Sequence, residues 1–114
     1  MSENIRGELD SIHHVAVPVE NVKDAVRWYT GRFRCSVSYE DPTWALLDFE
    51  NTRLALVLPE QHPPHIGFEH PHAEEFGPLT LHRDGTRSIY LLDPSGNSIE
   101  ILDAASTATP PREE

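Results

Sequence analysis

Apolar and polar residues follow the same order in two stretches of the chain. Residues 89–102, IYLLDPSGNSIEIL, predict two strands joined by a turn, because the Asp-Pro-Ser-Gly segment places each residue type where a type I turn favours it. Residues 45–58, ALLDFENTRLALVL, repeat this pattern. A second correspondence matches residues 13–17, HHVAV, with residues 64–68, PHIGF. The chain is therefore predicted to contain two copies of one unit.

The first unit, residues 12–58, is predicted to have the order βαβββ. Its helix begins after Asn21, a residue type that caps helix N-termini, and ends near Phe33. Apolar residues recur within this segment at helical spacing. One strand precedes the helix and three follow it: residues 12–17, then residues 36–40, 44–50 and 53–58.

The second unit, residues 65–102, lacks room for the helix. Only residues 70–78 are available, enough for a single turn, whereas a stable helix needs about ten or more residues. We therefore predict an α+β fold in which two βαβββ modules share one domain, residues 12–102, and the second helix is shortened or missing. Residues 1–11 are predicted to be a flexible N-terminus and residues 103–114 a disordered tail. The strands of the second unit are predicted at residues 65–69, 79–82, 86–92 and 97–102.

Alternation along the strands gives three polar side chains a common face. His14 and its counterpart His65 oppose apolar neighbours in the first strand of each unit, and Glu100 lies between two isoleucines in the last strand. A carboxylate that faces a core must be paired or bound to a metal. A single strand histidine is more often structural than a ligand, but two histidines and one carboxylate together match a metal-binding facial triad.

Composition restricts the class of partner. The net charge of −10 argues against nucleic acid and against an anionic membrane surface, because both bind a basic face. A small-molecule substrate is the better expectation. The single Cys35 allows no internal disulfide, and the first residues lack the apolar region of a signal peptide, so a cytoplasmic location is expected.

The motifs of the chain resemble the vicinal oxygen chelate superfamily, which includes glyoxalase I, bleomycin-resistance proteins and extradiol dioxygenases. The resemblance covers residues 12–102 and is most specific in the closing segment, residues 93–100, DPSGNSIE. It implies that the two modules form a metal-binding cleft, commonly in homodimers. Carried over by position, the metal ligands are His14, His65 and Glu100. The implied cofactor is a divalent ion, and this ligand set does not distinguish zinc, nickel, manganese and iron.

One departure from the resemblance affects the expected reaction. Glyoxalase I has a fourth ligand, a glutamate that also moves the substrate proton, at the position that Ala55 occupies here. True glyoxalase I chemistry is therefore disfavoured. The three-ligand set is closer to the extradiol dioxygenases, which need an acid–base histidine and a tyrosine. Tyr90 is a catalytic candidate beside Glu100, and His82 or His62 is a candidate for the histidine.

Two further residues are candidates for substrate contacts. Arg53 shares the face of Ala55, so it is placed to meet an anionic group, although a solvated arginine at a sheet edge fits the pattern equally well. Trp44 opens the strand that precedes Arg53, and its ring fits either the substrate pocket or the core.

The missing helix leaves an apolar surface on the second module. Four apolar side chains face outward where the helix of the first module would lie, and such a patch seldom stays exposed on a monomer. We predict that a homodimer covers them or that the segment over residues 73–76 does so. The four are Ile66, Phe68, Ile99 and Ile101.

Two functions follow from these features. The first is a metal-dependent lyase or dioxygenase that acts on a small molecule with vicinal oxygens. The second is a metal-free binding protein of the bleomycin-resistance type, against which the complete ligand set argues. A degenerate or regulatory domain is a third reading, which the lost helix favours.

Overall fold

The computed structural model describes residues 9–107, which fold into two βαβββ-like modules of an α+β domain. The first module contains β1 (Ser11–Pro18), α1 (Val22–Arg32), β2 (Ser36–Asp41), β3 (Trp44–Asp48) and β4 (Arg53–Val57). The second contains β5 (His65–His70), a 3₁₀ helix (Ala73–Phe76), β6 (Thr80–Leu81), β7 (Arg87–Leu92) and β8 (Ser98–Asp103), followed by α2 (Ala104–Thr107).

All eight strands belong to one curled sheet with the order β2-β3-β4-β1-β5-β8-β7-β6. In each module the first strand runs parallel to the last, as β1 does to β4 and β5 to β8. The two first strands, β1 and β5, pair antiparallel at the centre and join the modules. This order places the strands of His14, His65 and Glu100 side by side.

The helix of the first module begins and ends close to the predicted positions. The Asn21 side chain accepts a hydrogen bond of 2.8 Å from the backbone N–H of Asp24, which satisfies a donor of the first turn. Val22 and Val26 face the sheet and pack against apolar side chains of β3 and β4. The core of this module therefore lies between α1 and one face of the sheet. The buried sheet residues in this cluster are Ala45, Leu47 and Leu56.

The second module has a single 3₁₀ turn in place of a helix, as the sequence predicted. This turn contacts β7 and β8, and its Ala73 is fully buried. Ile101 is buried in the structure, whereas Ile66 stays 37% exposed. The turn therefore compensates for part of the missing helix and leaves part of the sheet face open.

The C-terminal segment departs from the predicted disordered tail. Asp103 ends β8 and forms an ion pair of 2.6 Å with Arg87, and the Ser106 hydroxyl accepts a hydrogen bond from the backbone N–H of Arg87. Thr107 donates a hydrogen bond to Glu69. These contacts hold residues 103–107 against the sheet, and the rest of the predicted tail lies outside the described residues.

The first strand, β1, begins at Ser11, which is inside the segment predicted to be a flexible N-terminus. Ser11 pairs with Glu69 across the sheet, and its hydroxyl donates a hydrogen bond of 2.7 Å to the Glu69 carboxylate. Residues 1–8 lie outside the described part of the chain. Within residues 9–107, neither helix has the length and apolar character needed to cross a membrane.

Candidate metal centre

The structure brings His14, His65 and Glu100 together at the centre of the sheet. Glu100 Oε1 lies 3.3 Å from His14 Nε2 and 3.1 Å from His65 Nε2, and the two nitrogens are 2.9 Å apart. All three residues are buried. The atoms therefore form a compact triangle contributed by β1, β5 and β8.

The dimensions of this triangle suit one divalent ion. A metal bound by imidazole nitrogen or carboxylate oxygen lies about 2.0–2.1 Å from each ligand atom, so ligands at tetrahedral or octahedral angles are about 2.9–3.4 Å apart. The observed edges run from 2.9 to 3.3 Å. Among the described residues, this is the one group of histidine, cysteine and acidic side chains whose ligand atoms converge in this way.

Both histidines are oriented by hydrogen bonds at Nδ1. His65 Nδ1 donates to the backbone carbonyl of Pro63 at 2.7 Å, because a carbonyl oxygen can only accept. His14 Nδ1 is 2.8 Å from the Nδ1 of His13. In each ring the Nε2 atom is therefore the nitrogen left for a metal, which is the usual role of such outer partners.

Glu100 is held in its ionised form. Burial alone would raise its pKa, but hydrogen bonds with His14, His65 and Ser88 outweigh burial and hold the pKa well below the ordinary range of a glutamate. The Ser88 hydroxyl donates to Oε2 at 2.6 Å. A carboxylate anion is the form that binds a metal, so the donor set fits a divalent ion.

Small residues opposite the histidines make room for the rings. Gly67 pairs with His14 across the sheet, and a Cβ atom at Gly67 would lie 2.4 Å from Cε1 of the His14 ring. On the symmetric side, Ala16 pairs with His65. Each strand therefore carries a histidine and, two residues later, a small residue that accommodates the histidine of the other strand. The sequence contained this spacing, but its meaning depends on the register of β1 and β5.

The symmetric counterpart of Glu100 is Ala55, as the internal repeat indicated. Glu100 pairs with Gly67 in the second module, and Ala55 pairs with Ala16 in the first. Ala55 is 2% exposed and lies on the wall of the same cavity. A methyl group neither binds a metal nor transfers a proton, so this position supplies no fourth ligand.

A cavity of about 690 Å³ opens onto the triad. Trp44, predicted to contact substrate, lies on its wall and stacks on Tyr39 with ring centres 4.5 Å apart. His62 also lines it, with its ring edge toward Trp44. One wall of the cavity is therefore made of aromatic side chains that are separate from the three ligands.

Tyr90 lines the same cavity beside the triad. Its hydroxyl lies 3.4 Å from His65 Nε2, and its ring meets the His65 ring edge to face. Burial and the neighbouring Glu100 carboxylate raise the pKa of Tyr90 far above its usual value, so the hydroxyl stays protonated. It is placed to donate a hydrogen bond into the cavity.

Arg53, the other candidate for substrate contact, is not among the residues that line the cavity. Its guanidinium donates to the backbone carbonyl of His13 and lies 3.5 Å from the Asp48 carboxylate. The cationic side chain on the cavity wall is instead Arg83, in the turn between β6 and β7. Alternation predicts the face of the sheet on which Arg53 lies, but it does not predict the distance of Arg53 from the cavity along the strand.

His13 is a neighbour of the triad that the sequence did not reveal. It is buried and contacts His14 directly. Burial, with smaller contributions from His14 and Arg53, lowers the pKa of His13 from 6.5 to about 4. The ring is therefore neutral, and its Nδ1 can accept a hydrogen bond from His14 Nδ1, which would leave His14 Nε2 unprotonated for a metal. The two adjacent histidines in the sequence were the available signal.

This burial predicts a pH dependence of stability in metal-free protein. The unfolded chain binds a proton at His13 below pH 6.5, whereas the folded protein does so only near pH 4, so stability is lost as the pH falls through this interval. Solvent in the cavity screens part of the effect, so we expect the His13 contribution to the free energy of unfolding to fall by about 1 kcal/mol across the interval. Urea titrations in the presence of chelator would measure it.

The control separates His13 from other groups that titrate in the same interval. His13→Gln should flatten the pH dependence by that amount, whereas replacement of the exposed His72 with glutamine should leave it unchanged. Equal slopes for the wild type and His13→Gln would contradict the assignment.

Comparisons with known proteins identify the fold. The chain matches no family model, and no curated protein matches it. Many solved structures are similar to it, among them the three that follow. Hypothetical protein BH1468 from Bacillus halodurans C-125 is 15% identical, with a TM-score of 0.67 over 92% of this chain and 99% of that chain. An NAD-dependent benzaldehyde dehydrogenase from Legionella pneumophila is 17% identical, with a TM-score of 0.60 over 78% and 96%.

The third structure carries the name of a superfamily. A glyoxalase/bleomycin resistance protein/dioxygenase superfamily member from Vibrio splendidus 12B01 is 9% identical, with a TM-score of 0.58 over 82% of this chain and 97% of that chain. At these identities the likeness establishes the fold. The chain has the glyoxalase/bleomycin resistance protein/dioxygenase fold, as its motifs indicated.

Proposed function

We propose that this protein is a divalent-metal-dependent enzyme that acts on a small molecule with two adjacent oxygens, by a lyase or dioxygenase reaction. The observation that carries the proposal is the triangle of His14 Nε2, His65 Nε2 and Glu100 Oε1, with edges of 2.9–3.3 Å. Two imidazoles and one carboxylate are a common ligand set of metal enzymes and leave coordination positions open.

The residues of the site divide into those that would hold an ion and those that orient the ligands. A bound divalent ion would supply Lewis-acid chemistry toward the two substrate oxygens or, as iron(II), chemistry with dioxygen. His14, His65 and Glu100 hold the ion, and the contacts of His13 and Pro63 fix the orientation of the two rings. The ligand set is compatible with zinc, nickel, manganese and iron.

Tyr90 and Ala55 restrict the reaction class. The protonated Tyr90 hydroxyl can donate a hydrogen bond to a substrate oxygen beside the triad, and so stabilise negative charge that develops there. Ala55 cannot transfer a proton, so a reaction that requires a carboxylate base at that position is disfavoured. We therefore place the protein apart from true glyoxalase I.

Metal analysis of protein prepared without chelator tests the proposal. We expect about one divalent ion per chain. Adding back zinc, manganese or iron(II) to chelator-treated protein should raise its melting temperature, because an ion that binds only the folded state stabilises it by mass action. Negligible metal in the purified protein together with no thermal shift on adding any of these ions would contradict the proposal.

Sequestration of a ligand without metal is the second candidate function. The observation that favours it is the stacked pair of Tyr39 and Trp44 on the cavity wall, which offers a flat ligand an aromatic surface independent of the triad. Metal-free protein that binds a ligand as tightly as metal-loaded protein would favour this function over the enzyme.

We also propose a homodimer that covers the open face of the second module. Ile66 is 37% exposed and Phe76 44% exposed where the first module has its helix. Multi-angle light scattering at micromolar concentration should give twice the mass of the chain. Ile66→Lys should shift the equilibrium to the monomer, because a charge would then be buried at the interface. A monomeric wild type would contradict this part of the proposal.

The proposed setting of the enzyme is the cytoplasm. The single Cys35 allows no disulfide within the chain, which suits a reducing compartment. Such a compartment would also keep iron(II), one of the candidate ions, in its reduced state.

A further inference from the structure

Beyond the three ligands, a chain of hydrogen bonds leads from the edge of the second module to Glu100. Ser88 lies on β7 and is 1% exposed. Its hydroxyl is 2.6 Å from Glu100 Oε2 on one side and 2.6 Å from His82 Nε2 on the other. His82 is held in the β6–β7 turn, where its backbone N–H donates to the carbonyl of Thr86.

Hydrogen-bond chemistry fixes the direction of this chain. The ionised carboxylate of Glu100 can only accept, so the single hydroxyl proton of Ser88 points to Oε2. The Ser88 oxygen is then the acceptor for His82, whose Nε2 must carry a proton. His82 Nε2 is 3.6 Å from Oε2, which is beyond hydrogen-bond distance, so His82 acts on Glu100 through the Ser88 hydroxyl.

The two oxygens of Glu100 therefore have different surroundings. Oε1 faces the Nε2 atoms of His14 and His65 at 3.3 and 3.1 Å, whereas Oε2 is taken by Ser88. The Ser88 hydroxyl engages one lone pair of Oε2, whereas Oε1 faces both histidine nitrogens, so binding of an ion through Oε1 is favoured. A carboxylate that binds through both oxygens would occupy a position that a second substrate oxygen needs.

We propose that Ser88, supported by His82, is a positioning residue that would favour binding of an ion through one oxygen of Glu100 and so leave coordination positions open for a chelating substrate. This inference rests on the proposed function and deepens it, because it assigns the preference for vicinal oxygens to a serine and a histidine outside the ligand set. The residues belong to β7 and to the turn before it, not to the three strands that carry the ligands.

Cobalt(II)-substituted protein tests the proposal, because its visible absorption reports the number and arrangement of ligands. The probes are acetohydroxamate, which binds a metal through two adjacent oxygens, and azide, which binds through one atom. We expect Ser88→Ala to change the cobalt spectrum and to weaken acetohydroxamate binding about 10-fold or more, comparable to the effect that loss of an outer partner has on metal affinity or activity. Azide affinity should change less than threefold.

Two further variants complete the design. Ser38→Ala removes a strand hydroxyl that lies outside the cavity lining and donates to the backbone carbonyl of Leu46, so it should leave the spectrum and both affinities unchanged. His82→Ala keeps the Ser88 hydroxyl but removes its support, so it should weaken acetohydroxamate binding in the same direction by a smaller factor. The melting temperature of metal-free protein shows whether each variant is folded. If Ser88→Ala does not fold, the acetohydroxamate affinity of His82→Ala tests the positioning role instead.

The outcomes separate this inference from the proposed function. A wild type that takes up no cobalt would overturn both. A wild type that binds cobalt, with Ser88→Ala showing the same spectrum and the same acetohydroxamate affinity, would overturn the positioning role alone. A selective loss of acetohydroxamate affinity in Ser88→Ala, absent in Ser38→Ala, would support it.

Discussion

Glu100→Ala is expected to reduce the affinity for divalent metal at least 100-fold and to leave the purified protein with negligible metal. Loss of an outer partner alone costs 10- to 100-fold in metal affinity, and removal of a ligand removes a direct bond and the negative charge that offsets the ion. The remaining two imidazoles would hold the ion only weakly. Metal analysis and titration with a competing chelator would measure the change.

The matched control is Glu69→Gln, tested beside Glu100→Gln. Glu69 also lies on a central strand and also accepts hydrogen bonds from hydroxyl groups, those of Ser11 and Thr107, but it is outside the triad. Glu69→Gln should keep the metal content of the wild type, and Glu100→Gln should lose it. The same metal content in all three proteins would show that any bound ion lies elsewhere.

Gly67→Ala is expected to damage the same site without touching a ligand. The added Cβ would lie 2.4 Å from Cε1 and 2.7 Å from Nδ1 of the His14 ring, closer than side chains approach, so the ring must move away from the triangle. We expect at least a tenfold loss of metal affinity and a loss of about 1–3 kcal/mol in the free energy of unfolding of metal-free protein. Metal titration and urea unfolding would measure the two effects.

A helix glycine and a double mutant provide the controls. Gly31 lies in α1 with nothing within 4 Å of an added Cβ, so Gly31→Ala should keep metal affinity and raise stability by about 0.5–1 kcal/mol. In a His14→Ala background, Gly67→Ala should cost much less stability, because the ring it displaces is absent. Equal costs in both backgrounds would show that the strain has another source.

The sequence predicted the modules because each carries its own local signals. The capping of α1 by Asn21, the turn at Asp93 and the alternation of strand residues depend on neighbours in the chain, and the structure has all three. The absence of a second helix was predicted from the length of the connecting segment alone, since residues 70–78 leave no room for one. The prediction was less reliable at the C-terminal boundary, where ion pairing between Asp103 and Arg87 joins segments distant in sequence.

The candidate site also has features that the sequence predicted and features that it did not predict. The internal repeat and the alternation of side chains gave His14, His65 and Glu100 a common face, and they identified Ala55 as the counterpart of Glu100. They did not identify His13 and Ser88 as partners of the ligands, because those contacts depend on ring orientation and on the pairing of β7 with β8. Arg53, the predicted contact for an anionic group, is not among the residues that line the cavity.

The sequence by itself determined which residue types face the centre of the sheet, since side-chain direction in a strand follows from position alone. Only the tertiary structure decided how close they come, which oxygen of Glu100 faces the two histidines, and which small residue lies opposite each ring. These properties depend on strand register and on atoms from four strands that meet across the sheet. Local chain geometry does not contain that information. In this protein the strand register therefore determines whether three suitable side chains can hold one ion.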